Sequence, residues 1–126
     1  MFTGIITALG EITEITRPTG ASDMRAVIAV PPDFLSGALI GASIACSGCC
    51  LTATALGPDW FAVDVSAETI SRTALAGWAP GTRINLERSL KLGDELGGHM
   101  VSGHVDGLGR VEAITPEGGS QRCWWT

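Results

Sequence analysis

Residues 42–56 read ASIACSGCCLTATAL, two short β-type runs, Ala42–Cys46 and Cys49–Leu56, on either side of Ser47-Gly48. Further β-type stretches recur along the chain between glycine and proline residues: Gly4–Ile15, Met24–Val30, Trp60–Val65, Arg83–Arg88 and His104–Ile114. Short strands at this spacing, separated by turn residues, are typical of a small antiparallel barrel or sandwich. The sequence therefore predicts an all-β fold.

Two helical pieces interrupt this pattern. Pro32–Ser36 suits a single turn, and Ala67–Gly77 suits a helix with Ser66 as its N-cap and Gly77 near its end. Apolar residues occur on both faces of Met24–Val30, which predicts a strand that is covered on two sides.

An internal repeat is the main sign of domain organisation. Ala8–Ile15 matches Gly107–Ile114 at Leu, Gly and Ile, with Ile against Val at a fourth position. The second copy lies 99 residues after the first. A turn follows each copy, with Pro18, Gly20 and Ser22 in the first and Pro116, Gly118 and Ser120 in the second. A repeated first strand at domain spacing predicts a duplicated domain. We expect one barrel over residues 1–103, then a linker and the first strand of a truncated second barrel over residues 104–126, with residues 121–126 an orphaned second strand or a frayed end.

Composition and charge exclude several classes of protein. The net charge of -5 and the scattered Lys and Arg residues offer no basic surface for nucleic acid. The N-terminus lacks the pattern of a secretory signal, and no apolar run approaches the length of a membrane span. We therefore expect a soluble, cytoplasmic protein with no membrane partner, whose four cysteines are thiols rather than disulfides.

Three segments could carry chemistry. In the strand from Cys49, the side chains of Cys50, Thr52 and Thr54 share one face, where a thiol and two hydroxyls could bind a small heterocycle or simply pack tightly. Residues 94–106 hold both histidines, His99 and His104, among three glycines, and histidine suits proton transfer near neutral pH. Residues 64–69 join a strand to a helix and could form a polar wall for a hydroxylated ligand, or merely a capped helix.

Other kinds of site are less well supported. A zinc site at Cys46-x-x-Cys49-Cys50 has no second Cys-x-x-Cys to complete it, and would need His99 or His104 from far along the chain. A hydrolase with a Ser nucleophile would need a Gly-x-Ser-x-Gly elbow, which does not occur. A cysteine hydrolase that uses Cys50 and His104 stays open.

Taken together, four ordered segments resemble the riboflavin synthase family: Met1–Ile6, Gly48–Thr52, Ser66–Thr69 and Gly97–His104. The resemblance covers residues 1–114, although Ser47-Gly48 stands where the family often has Asn-Gly. It implies a six-stranded Greek-key β-barrel that occurs twice in a full-length chain, and a homotrimer in which each barrel holds one molecule of 6,7-dimethyl-8-ribityllumazine. The implied reaction is a dismutation of two lumazines to riboflavin, by transfer of a four-carbon unit, with no cofactor and no metal.

The resemblance also implies site residues. Cys50 and His104 would assist addition and proton transfer with Ser43 nearby, Ser43 and Thr52 would hold the substrate, and backbone groups near Ile6 and Thr52 would read the pyrimidine edge. The substrate-contact positions fall on Phe2, Gly4, Ile5, Ile6, Cys50, Leu51, Thr52, Asp64, Val65, Ser66, Ala67, Glu68, Thr69, Gly103, His104 and Val105.

Two other classes of function fit the same resemblance. A non-catalytic carrier related to the lumazine-binding antenna proteins would have the same fold and bind lumazine or a flavin without turnover. A homodimer of this fragment would cover the face that a second barrel would otherwise occupy. For this length of chain we expect ligand binding with little or no turnover.

Overall fold

The computed structural model describes residues 1–18 and 23–126, and shows a closed barrel of six antiparallel strands. Around the barrel the strands follow the order β1-β2-β5-β4-β3-β6, and β6 pairs with β1 to close it. This confirms the predicted all-β barrel. Its strands are β1 (Ala8–Thr16), β2 (Met24–Ala29), β3 (Ser43–Cys46), β4 (Cys49–Leu56), β5 (Trp60–Val65) and β6 (Arg83–Arg88).

Alternating side chains fill the interior of the barrel. In β4, Cys49, Leu51 and Ala53 are buried, whereas Thr52 and Thr54 are exposed, which confirms the two faces predicted for this strand. The other strands contribute fully buried residues in the same way, among them Ile28 and Phe61. Each fully buried large apolar side chain stabilises the fold by roughly 1.5–3 kcal/mol, so the interior is a packed core rather than a ligand cavity.

The outer face of β2 differs from its prediction. Met24, Ala26 and Ile28 point into the core, but Val27 and Ala29 on the other face are only half-buried. They lie in an open cleft beside Trp60 rather than beneath a covering layer. Within this chain the strand is therefore covered on one side only.

The predicted helix over Ala67–Gly77 is two separate elements. Helix α1 (Ala67–Arg72) ends at Thr73, which is extended, and a 3₁₀ turn follows over Ala74–Gly77. Thr73 causes the break, because its hydroxyl donates to the carbonyl of Thr69 at 2.7 Å and accepts from the N–H of Leu75 at 3.3 Å. The same hydroxyl thus ends one element and caps the next. Pro32–Ser36 is a run of turns rather than a helix, with Asp33 at a φ of 67°.

The C-terminal region forms a hairpin apart from the barrel. Strand β7 (Val111–Glu117) pairs with β8 (Ser120–Trp125), so the prediction of a strand beginning at His104 is wrong by seven residues, and the tail is a paired strand. Every residue of the hairpin is exposed. Trp124 and Trp125 are 54% and 65% exposed, so the hairpin presents a large apolar surface.

The hairpin repeats the β-bulge of the first two strands. In the β1–β2 pair, Ile12 faces Ile28 and a bulge follows before Glu14 faces Val27. In the β7–β8 pair, Val111 faces Trp125 and a bulge follows before Ala113 faces Trp124. The bulge therefore falls at the positions that the sequence repeat aligns, 99 residues apart. Gly20 and Ser22, in the turn predicted after the first copy, lie outside the described residues.

Candidate functional site

The outer face of β3, β4 and β6 carries the residues that the sequence singled out. Cys50 lies directly opposite Ala45, and Ala45 lies directly opposite Glu87, so the three side chains form one row on this face. On the same face, Ser43 lies opposite Thr52. Thr52 is the next residue of this face along β4, about 7 Å from Cys50 by strand spacing. The barrel thus brings Ser43, Cys50 and Thr52 to one surface.

Two irregular segments cross this surface. The first, Met1–Thr7, is called the N-terminal strap; Phe2 exchanges two backbone hydrogen bonds with Val101, of 2.8 and 3.0 Å, and its side chain is fully buried. Further contacts hold the strap, since the N–H of His99 donates to the carbonyl of Thr3 at 2.9 Å. Although His99 lies beside the strap, its side chain is exposed.

The second segment, residues 97–106, is joined at Gly103 to the strand that bears Cys50. The N–H of Cys50 donates to the carbonyl of Gly103 at 2.8 Å. Gly103 has a φ of +76°, and a Cβ there would lie 2.8 Å from Cβ of Cys50 and 3.1 Å from the ring of Phe2. Only glycine fits both this conformation and this approach, which places His104 next to the thiol-bearing strand.

A cleft of about 520 Å³ opens beside this junction, within the range of small-molecule sites. Six predicted positions that the structure brings together line it: Cys50, Glu68, Thr69, Gly103, His104 and Val105. Four more lining residues were not predicted: Cys49, Arg72, Thr73 and Asp106. A thiol, an imidazole, a hydroxyl and a carboxylate therefore surround one space.

Helix α1 forms the far wall of the cleft, and its start is well fixed. Ser66 accepts from the N–H of Thr69 at 3.2 Å, as predicted for its N-cap, and the carboxylate of Asp23 accepts from the N–H of Ala67 at 2.9 Å. On the helix surface Arg72 donates to Glu68 at 3.0 Å. This exposed pair neutralises the charge of the wall while leaving carboxylate oxygens free to accept from a ligand's hydroxyl groups.

The remaining predicted positions lie around the cleft rather than in its wall. Leu51 and Val65 point into the core, so they could meet a ligand only through their backbone. Asp64 is exposed at the end of β5. Ile5 and Ile6, in the strap, are 50% and 44% exposed.

Glu87 is a further residue near the site that was not predicted from the sequence. Although it is only 5% exposed, its carboxylate accepts three hydrogen bonds from the N-terminal strap: 2.6 Å from the N–H of Thr3, 2.6 Å from its hydroxyl and 3.1 Å from the N–H of Gly4. The alternation in β6 puts Ile84 and Leu86 inside, which predicts a solvent-exposed Glu87. The feature that could have indicated a buried Glu87 is the strap itself, because its backbone N–H groups need hydrogen-bond acceptors.

Two of the cysteines are poor nucleophiles. Burial raises the pKa of the Cys46 thiol far above its ordinary value, and the neighbouring Cys49 and Cys50 add to the effect. Burial also raises the pKa of Cys49, again with a contribution from Cys50. Thiolate is the reactive form, so of the three neighbouring thiols the half-exposed Cys50 is the one placed for chemistry.

Neither a metal cluster nor a membrane helix occurs in the described structure. Within residues 1–18 and 23–126, no three His, Cys, Asp or Glu side chains gather closely enough to hold a metal ion, including those of the Cys46–Cys50 segment. Over the same ranges, neither short helix has the length or apolar character needed to span a membrane.

Comparisons with known proteins point to one family. A family model described as "Lumazine binding domain" matches residues 3–89. The riboflavin synthases of Brucella abortus and Mycobacterium bovis are each 44% identical to the chain, over 97% and 92% of its length. The chain spans 61% and 57% of these two relatives. A solved structure of LumP complexed with 6,7-dimethyl-8-(1'-D-ribityl) lumazine superimposes with a TM-score of 0.81 at 27% identity, covering 99% of this chain and 68% of LumP.

Proposed function

This chain belongs to the lumazine-binding domain family, and on that premise we propose that it is the N-terminal, lumazine-binding part of a riboflavin synthase. The reaction converts two molecules of 6,7-dimethyl-8-ribityllumazine into riboflavin and 5-amino-6-(ribitylamino)uracil. One lumazine gives a four-carbon unit to the other, which makes the enzyme a transferase. The chain holds one of the two substrates.

The observation that carries the proposal is the shared cleft of Cys50 and His104. These residues are 54 positions apart in the sequence, and the backbone hydrogen bond from Cys50 to Gly103 brings them to one space of about 520 Å³. The names of the relatives supply the reaction class, since both aligned full-length proteins are riboflavin synthases. A thiol and an imidazole beside a ring-sized cleft suit a reaction that needs addition and proton transfer.

Each part of the site has a task in this reaction. Two flat rings must be held in register, and an acidic methyl group of one lumazine must lose a proton before carbon–carbon bonds form. We assign the proton transfer and the addition to Cys50 and His104, and the holding of the substrate to Ser43 and Thr52. Backbone groups near Ile6 and Thr52 are assigned to the pyrimidine edge.

The ribityl chain is assigned to the wall of helix α1. Its hydroxyl groups need donors and acceptors, which Glu68 and Thr69 supply within the cleft. The N-terminus of α1 adds N–H groups at the same wall, of which Ser66 and Asp23 already occupy two. Positions 64–67 lead into the helix start, so we place the polar tail of the ligand along this junction and its ring near Cys50.

The second substrate must come from another barrel. The exposed β7–β8 hairpin repeats the bulge of β1–β2 at the equivalent position, and we propose that it begins a second barrel of the same kind. A full-length protein would then be a homotrimer in the cytoplasm with sites between barrels of neighbouring subunits. The chain of 126 residues would bind lumazine and turn over little or no substrate. It would dimerise through the face that a second barrel would otherwise occupy.

A chimera tests the enzyme assignment. Residues 1–126 are joined to the remaining part of the Brucella abortus relative and incubated with the lumazine, and riboflavin is measured by chromatography. We expect turnover, and we expect Cys50→Ser and His104→Gln to lower kcat by about a hundredfold or more while lumazine affinity changes little. Cys123→Ser, on the exposed hairpin, is the matched control and keeps wild-type kcat. Wild-type turnover in both site variants refutes their roles.

A non-catalytic carrier is the second candidate, favoured by the similarity to the LumP structure with its bound lumazine. The same chimera separates the two functions. A carrier would quench or shift lumazine fluorescence on binding but release no riboflavin, however long the incubation. Binding of lumazine together with riboflavin formation above the level of the Brucella part alone supports the enzyme.

A further inference from the structure

The N-terminal strap is fastened to the barrel by one buried carboxylate. Three donors of the strap, from Thr3 and Gly4, converge on Glu87, whose side chain is 5% exposed. All buried side-chain nitrogen and oxygen atoms in the described ranges have partners, so the carboxylate lacks nothing that a ligand would supply. Its contacts therefore point to the strap rather than to the substrate.

Glu87 and Cys50 stand two strands apart in one row of the outer face. Ala45 lies between them, opposite both, so strand spacing sets Glu87 about 10 Å from Cys50. Phe2 lies in the same layer, fully buried and 3.1 Å from the position of a Cβ on Gly103. A shift of the strap at Thr3 would thus move Phe2 against the segment that carries His104.

We infer that Glu87 is a positioning residue that fixes the Thr3–Gly4 backbone and so presents the Gly4–Ile6 groups to the flat ring of a bound lumazine. This role rests on the proposed function of the cleft. Gly4 has a φ of +83°, and its N–H donates to Glu87, so the carboxylate holds the turn that aims Ile5 and Ile6. Hydrogen bonds to a buried charged acceptor are among the stronger ones in proteins.

The alternative is that Glu87 only stabilises the fold. The two roles differ in what they do to binding well below the melting temperature. If Glu87 positions the strap, loss of the Glu87 carboxylate leaves a smaller fraction of molecules in the binding-competent form. The apparent affinity for lumazine then falls in proportion to that fraction. A purely structural residue lowers the melting temperature and leaves the affinity of the folded protein unchanged.

The test compares two strap variants and two controls in the 126-residue chain. Glu87→Gln keeps the size of the side chain but turns an amide N–H₂ toward the donors. Thr3→Val removes the hydroxyl that donates to Glu87 and that also accepts from the N–H of Ile5 at 3.1 Å. Thr3→Ser restores a hydroxyl. Thr7→Val removes another hydroxyl of the strap, one that donates to Leu86 at 3.4 Å rather than to Glu87.

Lumazine affinity by fluorescence titration at 15 °C, melting temperature, and amide exchange of Ile5 and Ile6 are measured for each protein. We expect a ten- to hundredfold weaker affinity and faster exchange in Glu87→Gln, a smaller loss in Thr3→Val, and wild-type behaviour in Thr3→Ser and Thr7→Val. Wild-type affinity in both Glu87→Gln and Thr3→Val overturns the positioning role. A wild-type chain that binds no lumazine overturns the proposed function instead, and this role with it.

Discussion

Gly103→Ala tests the junction on which the candidate site depends. The substitution adds one methyl group where the backbone has a φ of +76°. An L-residue other than glycine loses roughly 1–2 kcal/mol in this left-handed conformation. The new Cβ would also lie 2.8 Å from Cβ of Cys50 and 3.1 Å from its N–H nitrogen, and Cys50 is fixed in the β4 ladder.

The clash adds to the conformational cost. Forcing a methyl group into a packed position costs typically about 1–3 kcal/mol, so Gly103→Ala should destabilise the chain by about 2–5 kcal/mol in all. Gly37→Ala is the matched control, because Gly37 has a φ of +71° and nothing within 4 Å of its Cβ position. The control should lose only the conformational part, about 1–2 kcal/mol.

Urea unfolding of the two variants and the wild type, followed by tryptophan fluorescence and circular dichroism, gives the free energies. Lumazine titration gives the second measure, in which Gly103→Ala should weaken binding at least tenfold and Gly37→Ala should not change it. Equal stability of the two variants, together with equal lumazine affinity, would refute the close contact between Gly103 and Cys50 as the element that shapes the cleft.

Two further predictions concern the core. The pKa of Cys46 and Cys49 is raised in the folded state, so above pH 9.0 the unfolded chain loses thiol protons that the folded chain keeps, and the free energy of unfolding falls as pH rises. Cys46→Ala should flatten this alkaline slope in urea titrations at pH 8 to 10.5. An unchanged slope contradicts the burial of that thiol. Gly10→Ala would put a Cβ 2.7 Å from Leu86 and should lower the free energy of unfolding by about 1–3 kcal/mol. Gly77→Ala is the control: the space around its Cβ position is open, so the free energy of unfolding should change by less than about 0.5 kcal/mol.

The regular part of the fold follows from local pattern. Alternation in β4 predicts which side chains enter the core, and the two-residue break at Ser47-Gly48 matches the turn between β3 and β4, where both residues have positive φ. Five of the strand predictions agree with the structure to within a residue at each end. The helix prediction fails where a single side chain overrides the pattern, since the hydroxyl of Thr73 splits it. The strands predicted from Gly4 and His104 begin four and seven residues late, at Ala8 and Val111.

The candidate site was predictable in part, for a related reason. Cys50 and Thr52 share a face because side chains alternate along a strand, and this can be read from the sequence. Ser43 was expected beside them only from the family resemblance, and the pairing of β3 with β4 places it opposite Thr52. Their neighbours Phe2, Gly103 and Glu87 come from long-range contacts of irregular segments, which no local periodicity encodes. Arg72 and Thr73 were missed because α1 was expected to present only its first turn. The residue-by-residue roles stay predictions.

The packed barrel interior decides where the chemistry must lie. A ligand cannot enter a core filled by Ile, Phe and Val, so the site has to be built on the outside, beneath segments that cross the strands. One of these segments continues into the hairpin: Asp106 lines the cleft and β7 starts at Val111. Five residues of extended chain reach about 18 Å at most. Trp125 pairs with Val111, so the exposed tryptophans of the hairpin stay near the cleft, and under the proposed function the same connection limits how far the second barrel can lie from it.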